Sequence, residues 1–310
     1  MIELKNVYKR YGSHIVINDM SFKIEKGEIV GFLGQNGAGK TTTMKLITGL
    51  IQPSEGKVLI EGEKLNNKNK SKIGYMPENV PLYESLSVRE FIDFMAEMRG
   101  IKKNERKEVV KNLIAKLNLK DVEKSIIKNI SRGYKQRVSL AGALAGNPEI
   151  ILLDEPTVGL DPKQIIEIRN LIKSLAGNHT ILVSSHILSE IGQMCEKVII
   201  IDKGKLVTID SPENLEDKLS TNKIQIIVED PKEKIDMLKS KIPEIIKISF
   251  IKKENKKEKL YEITIKDNED IRKKIMDIAK NEGINVIELK KIESSLEDVF
   301  VSLIDKKEEE

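Results

Sequence analysis

An α/β fold is expected, with a smaller α+β domain after it, and three observations carry that expectation. Short apolar runs rich in β-formers alternate with helical patterns over residues 1–212. A glycine-rich turn, Gly34-Gln35-Asn36-Gly37-Ala38-Gly39-Lys40-Thr41-Thr42, sits between one such run and a helix. Beyond Pro212 the composition shifts toward Lys, Ile and Glu, and strand and helix patterns follow in the order βαββαβ. At 310 residues the chain has room for one large domain or two. We expect domains at 1–212 and 213–310.

Residues 2–33 alternate apolar and polar, with turns at Tyr11-Gly12-Ser13 and Glu25-Lys26-Gly27, and read as an N-terminal antiparallel β subdomain. Glu28–Leu33 is the strand before the glycine-rich turn, and Thr42–Gly49 reads as a helix closed by glycine. The turn matches G-x-x-x-x-G-K-[ST], a phosphate-binding loop. Its glycines let successive N–H groups point inward at phosphates, Lys40 can reach the β/γ-phosphates, and the Thr41 hydroxyl can ligate Mg²⁺. The following helix presents its N-terminus to the anion.

A strand pair then leads to Ile73-Gly74-Tyr75-Met76-Pro77-Glu78. Ser87-Val88-Arg89-Glu90 is a capping box opening a helix whose Phe91, Phe94, Met95 and Met98 read as core, and Val109, Val110, Leu113, Ile114 and Leu117 continue at helical spacing. A helical insertion over about 85–146 is expected. Ile150–Leu153 is an apolar strand that runs into Asp154-Glu155. Paired acids there suit a metal-holding aspartate and a carboxylate that orients or deprotonates the attacking water. Thr180–Ser185 is a further strand, ending at His186, which reads either as structural or as a contact for the γ-phosphate. Tyr11 reads likewise as a rim aromatic or as a face for adenine.

After Pro212 the pattern is strand 223–228, helix 231–241, strand 245–251, strand 259–265, helix 268–281, strand 284–290 and helix 295–305. The first six have the order of a ferredoxin-like split βαβ. The lysine-rich stretch 252–259 is interrupted by acids and falls where a hairpin turn belongs.

Composition narrows the function. Net charge is +4, aromatics make up 4%, and there is no tryptophan, so no nucleic-acid platform is expected. Cys195 is the single cysteine, which excludes an intramolecular disulfide and reads as a small buried hydrophobe. No run approaches the ~18 apolar residues of a membrane span, and Met1–Lys5 does not begin a signal peptide. A cytoplasmic chain is expected, with any membrane segment supplied by another polypeptide.

The ordered motifs resemble the ATP-binding subunit of an ABC transporter over about residues 1–212. The decisive stretch is Ile130-Ser131-Arg132-Gly133-Tyr134-Lys135-Gln136-Arg137, similar to that family's LSGGQ signature and its Q-R extension. The resemblance implies ATP and Mg²⁺ as cofactors. It implies Tyr11 as the adenine-stacking residue, Asp154 as the metal-holding acid, Glu155 as the catalytic base and His186 as the γ-phosphate switch. Ser131 and Gly133 would meet the nucleotide of a second subunit, and Asp161 would sit in the contact loop between subunits. Without the family, Ser131 is simply an N-cap.

The implied assembly is a head-to-tail homodimer of ATPase subunits driving a separate polytopic membrane permease, with this chain peripheral on the inner face of the membrane. Two positions depart from the family. Glu78 stands where glutamine is usual at the metal, and Arg132 where glycine is usual. Both, with the ending Ser295-Leu296-Glu297-Asp298-Val299-Phe300, resemble the exporter subgroup of drug-resistance and gliding systems. Importer subunits and soluble ABC ATPases acting on ribosomes or nucleic acid remain the alternatives, as does a regulatory role for residues 213–310.

Overall fold

The computed structural model describes residues 1–79, 81–218, 223–229, 235–254, 257–266 and 270–292. They divide into two compact units, Met1–Pro212 and a second that begins at Glu213.

In the first unit, β1 (Ile2–Tyr11) and β2 (His14–Ile24) form a hairpin closed by Gly12-Ser13. The parallel-sheet strand β3 (Ile29–Leu33) follows, then the glycine-rich turn and α1 (Lys40–Thr48). β4 (Glu55–Ile60) and β5 (Glu63–Lys64) complete an antiparallel sheet of order β2-β1-β4-β5. The short α2 (Asn67–Lys70) leads to β6 (Ile73–Met76).

The expected helical insertion consists of α3 (Val88–Met98), α4 (Lys103–Lys116) and α5 (Arg132–Leu144). The capping box is present: the Ser87 N–H donates to Glu90 Oε2 at 2.8 Å, and the Glu90 N–H to Ser87 Oγ at 3.3 Å. The apolar stripe of α3 divides, however. Val88, Phe91, Ile92 and Ala96 are buried, whereas Phe94 and Met95 are half-buried and Met98 is exposed. The stripe is wider than the buried seam, and Phe94, Met95 and Met98 line an open groove along its edge.

The α/β pattern resumes with β7 (Ile150–Leu153), α6 (Pro162–Lys173), β8 (Thr180–Ser185), α7 (Leu188–Gly192), β9 (Lys197–Asp202), β10 (Lys205–Asp210) and α8 (Pro212–Lys218). The second sheet has the order β10-β9-β3-β8-β7-β6, parallel except for β10. Every residue of β7 and β8 is buried. Strands covered on both faces must be apolar throughout, which is why these runs do not alternate. Neighbouring strands β3, β8 and β7 are parallel and in register, Leu33 beside Ser185 and Leu153 beside Val183. Their carboxyl ends therefore open on one side of the sheet, where α/β folds bind ligands.

In the second unit, β11 (Lys223–Glu229), α9 (Ile235–Lys241), β12 (Ile245–Lys253), β13 (Glu258–Ile265), α10 (Arg272–Asn281) and β14 (Asn285–Lys291) run in the expected βαββαβ order. The antiparallel sheet order β12-β13-β11-β14 is that of a ferredoxin-like split βαβ. Alternate residues Ile224, Ile226 and Val228 face Ile235, Leu238, Ile275 and Ala279 in its own core. The expected helix 295–305 and the ending Ser295–Phe300 lie outside the described residues.

Candidate active site

The glycine-rich turn wraps the N-terminus of α1. Gly37 and Gly39 have φ of 84° and 105°, a region where a side chain would strain the backbone, and a Cβ at Gly39 would stand 2.6 Å from Ile17 Cδ1. The Ala38 N–H donates to Gln35 O at 3.1 Å and the Thr43 N–H to Gly39 O at 2.9 Å, which fixes the curl into the helix. Lys40, the first residue of α1, is 6% exposed, and its Nζ donates to Gly34 O at 2.7 Å and to Gln35 O at 3.3 Å.

Glu155 follows β7 with φ 49°, an uncommon conformation for a residue with a side chain. The turn aims its carboxylate back across the sheet ends. Oε1 lies 3.2 Å from Lys40 Nζ, and Oε2 lies 3.0 Å from His186 Nδ1, beyond the end of β8. Glu155 is 5% exposed, yet its Oε1 receives no directed hydrogen bond. A buried acceptor facing an open cavity in this way is suited to a water or a ligand hydroxyl.

Asp154 is fully buried. Its Oδ1 accepts from Ser184 Oγ at 2.6 Å, and its Oδ2 accepts a long 3.5 Å contact from the Tyr75 hydroxyl. Burial foremost, and the Asp154 charge next, push the Tyr75 phenol well above its ordinary pKa, so it stays a proton donor here. Ser184 Oγ also accepts from the Glu155 N–H at 2.9 Å. One hydroxyl thus orients both acids. Ser184→Ala would orphan a buried carboxylate oxygen and a buried N–H together. A loss of about 1–3 kcal/mol is expected, read as a lowered thermal midpoint.

A cavity of about 510 Å³ opens over these groups. It is lined by Gln35, Asn36, Gly37, Gly39, Lys40, Thr41 and Thr42 of the glycine-rich turn, by Glu78, Glu155 and His186, and by His14, Val16 and Val158. Gly34 and Ala38 lie outside the lining. A Cβ at Gly34 would stand 2.8 Å from Ile201 O, and Ala38 is 4% exposed, so both shape the turn from beneath. Asp154 is likewise one layer below the cavity.

Tyr11 ends β1 rather than preceding a strand. It is 53% exposed, with Lys9 Nζ 5.0 Å from its ring centre, and it is outside the lining. Its cross-strand partner His14, with Val16, lines the cavity instead. Nothing in the local pattern marked these two. Ser184 shares the polar end of β8 with Ser185, which does not single it out as the bridging residue.

Ser131, Gly133 and Asp161 also lie outside this cavity. Ser131 caps α5, its Oγ accepting from the Tyr134 N–H at 3.5 Å. Asp161 caps α6, its Oδ1 accepting from the Gln164 N–H at 2.9 Å. A Cβ at Gly133 would stand 2.8 Å from the Gln164 amide, so the two helix starts touch each other. Cys195 is buried, and burial pushes its thiol up to about 12, which leaves it inert as a nucleophile.

Comparison with known proteins shows the family of the chain. Residues 17–158 match the family model "ABC transporter". The lantibiotic transport ATP-binding protein SrtF of Streptococcus pyogenes is 36% identical over 221 residues, covering 70% of this chain and 95% of that protein. This chain belongs to the ABC transporter family, as an ATP-binding subunit. It binds and hydrolyses ATP.

Two further relatives extend the likeness. The uncharacterized ABC transporter ATP-binding protein YhcH of Bacillus subtilis is 36% identical across 100% of this chain and 98% of its own length. The lipopolysaccharide export system ATP-binding protein LptB of Haemophilus influenzae is 34% identical over 69% of this chain and 92% of its own. Among solved structures, a dimeric ATP-binding cassette in a post-hydrolysis state, bound to ADP and Pi, matches with a TM-score of 0.62 at 28% identity. That match covers 68% of this ATPase and 98% of that chain.

The residues also fit a magnesium ion accompanying the nucleotide. Thr41 and Glu78 supply oxygen donors to the cavity, with Asp154 behind them, and hard oxygen ligands suit Mg²⁺. No cluster of three or more His, Cys, Asp and Glu that could hold a metal occurs among the described residues. An ion with so few protein ligands is of the kind completed by phosphates and water.

Proposed function

We propose that this ATPase works as a head-to-tail pair with a second copy, the pair closing on two ATP molecules to drive a separate polytopic membrane permease, and that the system exports its cargo. The observation that carries the reading is a separation within one chain. The cavity is lined by Lys40, Glu155 and His186, while Ser131, Gly133 and Asp161 lie outside its lining. Those three become useful only if they cover the nucleotide of a neighbour, where the start of α5 can offer Gly133 N–H and Ser131 Oγ to phosphate.

In this reading the N–H groups of Asn36–Thr42 hold the phosphates and Lys40 takes the β/γ oxygens. Thr41, Glu78 and Asp154 would hold Mg²⁺. The ion would neutralise charge on the phosphates. Glu155 accepts the proton of the attacking water, and His186 orients Glu155 and touches the γ-phosphate. ATP contacts both subunits only in the closed pair, so binding shifts the population to it and hydrolysis releases it. Tyr11, if it serves adenine, must turn toward the cavity mouth.

A protein partner is supported by a groove of about 330 Å³ next to Glu78, lined by Tyr75, Pro77, Pro81, Tyr83, Phe91, Phe94, Met95 and Met98. Tyr83 and Met98 are 53% and 68% exposed there. Apolar rims of this kind mark interaction sites. No helix among the described residues is long and apolar enough to cross a membrane, and in this reading the permease supplies the span, with the ATPase on the cytoplasmic face. Export is supported by the export system of which LptB is named a part, and by the Glu78 and Arg132 departures. No nucleic-acid role is invoked.

The test is a tagged Glu155→Gln chain in its native cell, with membranes fractionated in ATP and whatever survives detergent extraction identified. Recovery with a polytopic membrane protein is the expected result. A chain that stays soluble, or comes down with ribosomes or DNA, overturns the transport assignment. ATP-driven loading of inside-out vesicles by the same complex assembled with the parent chain then distinguishes export from import.

A further inference from the structure

Arg132 is an exposed cation at a helix start. It is the first residue of α5, where the helix dipole disfavours a cation, and among the described residues it forms no hydrogen bond or ion pair. Its side chain is nonetheless placed against a definite target. The guanidinium lies over the Cα of Gly159, close enough that a Cβ there would collide with Arg132 Cζ, and would stand 2.6 Å from Nη2. Gly159 has φ 74°, so a glycine is favoured there by backbone and by neighbour alike.

The two residues bracket a junction. Ser131 caps α5 and Asp161 caps α6, and the starts of those helices already meet at Gly133 and Gln164. Arg132 adds a second contact, a planar group covering the backbone just before Asp161. A guanidinium can lie flat on a peptide surface, which an ammonium cannot.

We propose that Arg132 is a positioning residue that braces the Gly159-Leu160-Asp161 loop against the start of α5, so that Ser131 and Asp161 face a second copy of this chain as one fixed surface. The role in catalysis rests on the paired-subunit reading above; the brace itself does not. An order-making contact of this sort compensates for the unfavourable charge at the helix start. It also accounts for arginine at a position that resembles a glycine of the family signature.

The test compares Arg132→Ala and Arg132→Lys with the parent chain. In the nucleotide-free protein, amide hydrogen exchange over residues 157–161 is expected to speed up about tenfold in both variants, with exchange elsewhere in the core unchanged. In the ATPase assay, kcat is expected to fall about tenfold with KM for ATP unchanged, because the variants leave the cavity intact. Full activity and parental exchange in Arg132→Lys would show that charge alone matters and would overturn the brace. So would unchanged exchange in Arg132→Ala. Faster exchange with a parental kcat would keep the brace but overturn its part in presenting Asp161. A Glu155→Gln chain that fails to pair in ATP would overturn the paired-subunit reading alone, since the exchange experiment needs no second copy.

Discussion

Glu155→Gln is expected to stop turnover while preserving the nucleotide-bound state. In the mechanism proposed here Glu155 removes the proton of the attacking water, and loss of a positioned general base costs about 10²–10⁴-fold in rate. The substitution is nearly isosteric, and what it leaves behind is the deciding point. Lys40 keeps its bonds to Gly34 O and Gln35 O, at 2.7 and 3.3 Å, so it is not orphaned. The His186 ring at 3.0 Å can still bond the amide oxygen. The buried charge of Glu155 also disappears from a cavity that must accept triphosphate. ATP affinity is therefore expected to hold or rise while kcat collapses, and ATP-dependent pairs are expected to persist in gel filtration. Measuring both on one preparation is essential. Full hydrolysis in Glu155→Gln would end the assignment of the base, whereas lost ATP affinity would mean that the carboxylate holds the site together.

These residues could be read from the sequence because Glu155 and His186 follow apolar runs and Lys40 closes the glycine-rich turn. Lys40, Glu155 and His186 come from three separate stretches, and only a parallel order of β3, β8 and β7 joins them. Apolar runs without alternation signal such a sheet, so the convergence could be anticipated without coordinates. The βαββαβ order of the second unit was legible for the complementary reason, its strands Lys223–Glu229 and Glu258–Ile265 alternating with one face to their helices. Contacts set by orientation rather than by spacing were not legible. Tyr11 and His14 stand opposite each other across a two-residue turn, yet only His14 lines the cavity. The apolar stripe Phe91, Phe94, Met95 and Met98 has helical spacing throughout. Only the position of α5 decides that Phe91 is core and Met98 is rim. Ser184 bridges the Glu155 N–H and the Asp154 carboxylate, a role that a polar residue at a strand end does not announce.

Lys40→Ala is expected to fail in two separable ways. The first is nucleotide binding. A charged hydrogen bond to phosphate is worth about 1.5–3 kcal/mol, so ATP affinity should fall roughly 10- to 150-fold. The second arises without any nucleotide. Lys40 and Glu155 are a buried pair, 7% and 6% exposed in their side chains, and Glu155 Oε1 has no directed hydrogen bond to replace the ammonium. Removing one member of such a pair leaves an uncompensated charge, at a cost of about 3–5 kcal/mol. The nucleotide-free Lys40→Ala chain should therefore melt well below the parent. Adding Glu155→Gln removes the stranded charge. The double variant should recover most of the lost stability, by differential scanning calorimetry, yet regain none of the ATP affinity. That dissociation separates a lysine that merely neutralises Glu155 from one that also grips phosphate. Restored ATP binding in the double variant would assign Lys40 to the first role only. A Lys40→Ala chain as stable as the parent would mean that the pair contributes nothing to the resting site.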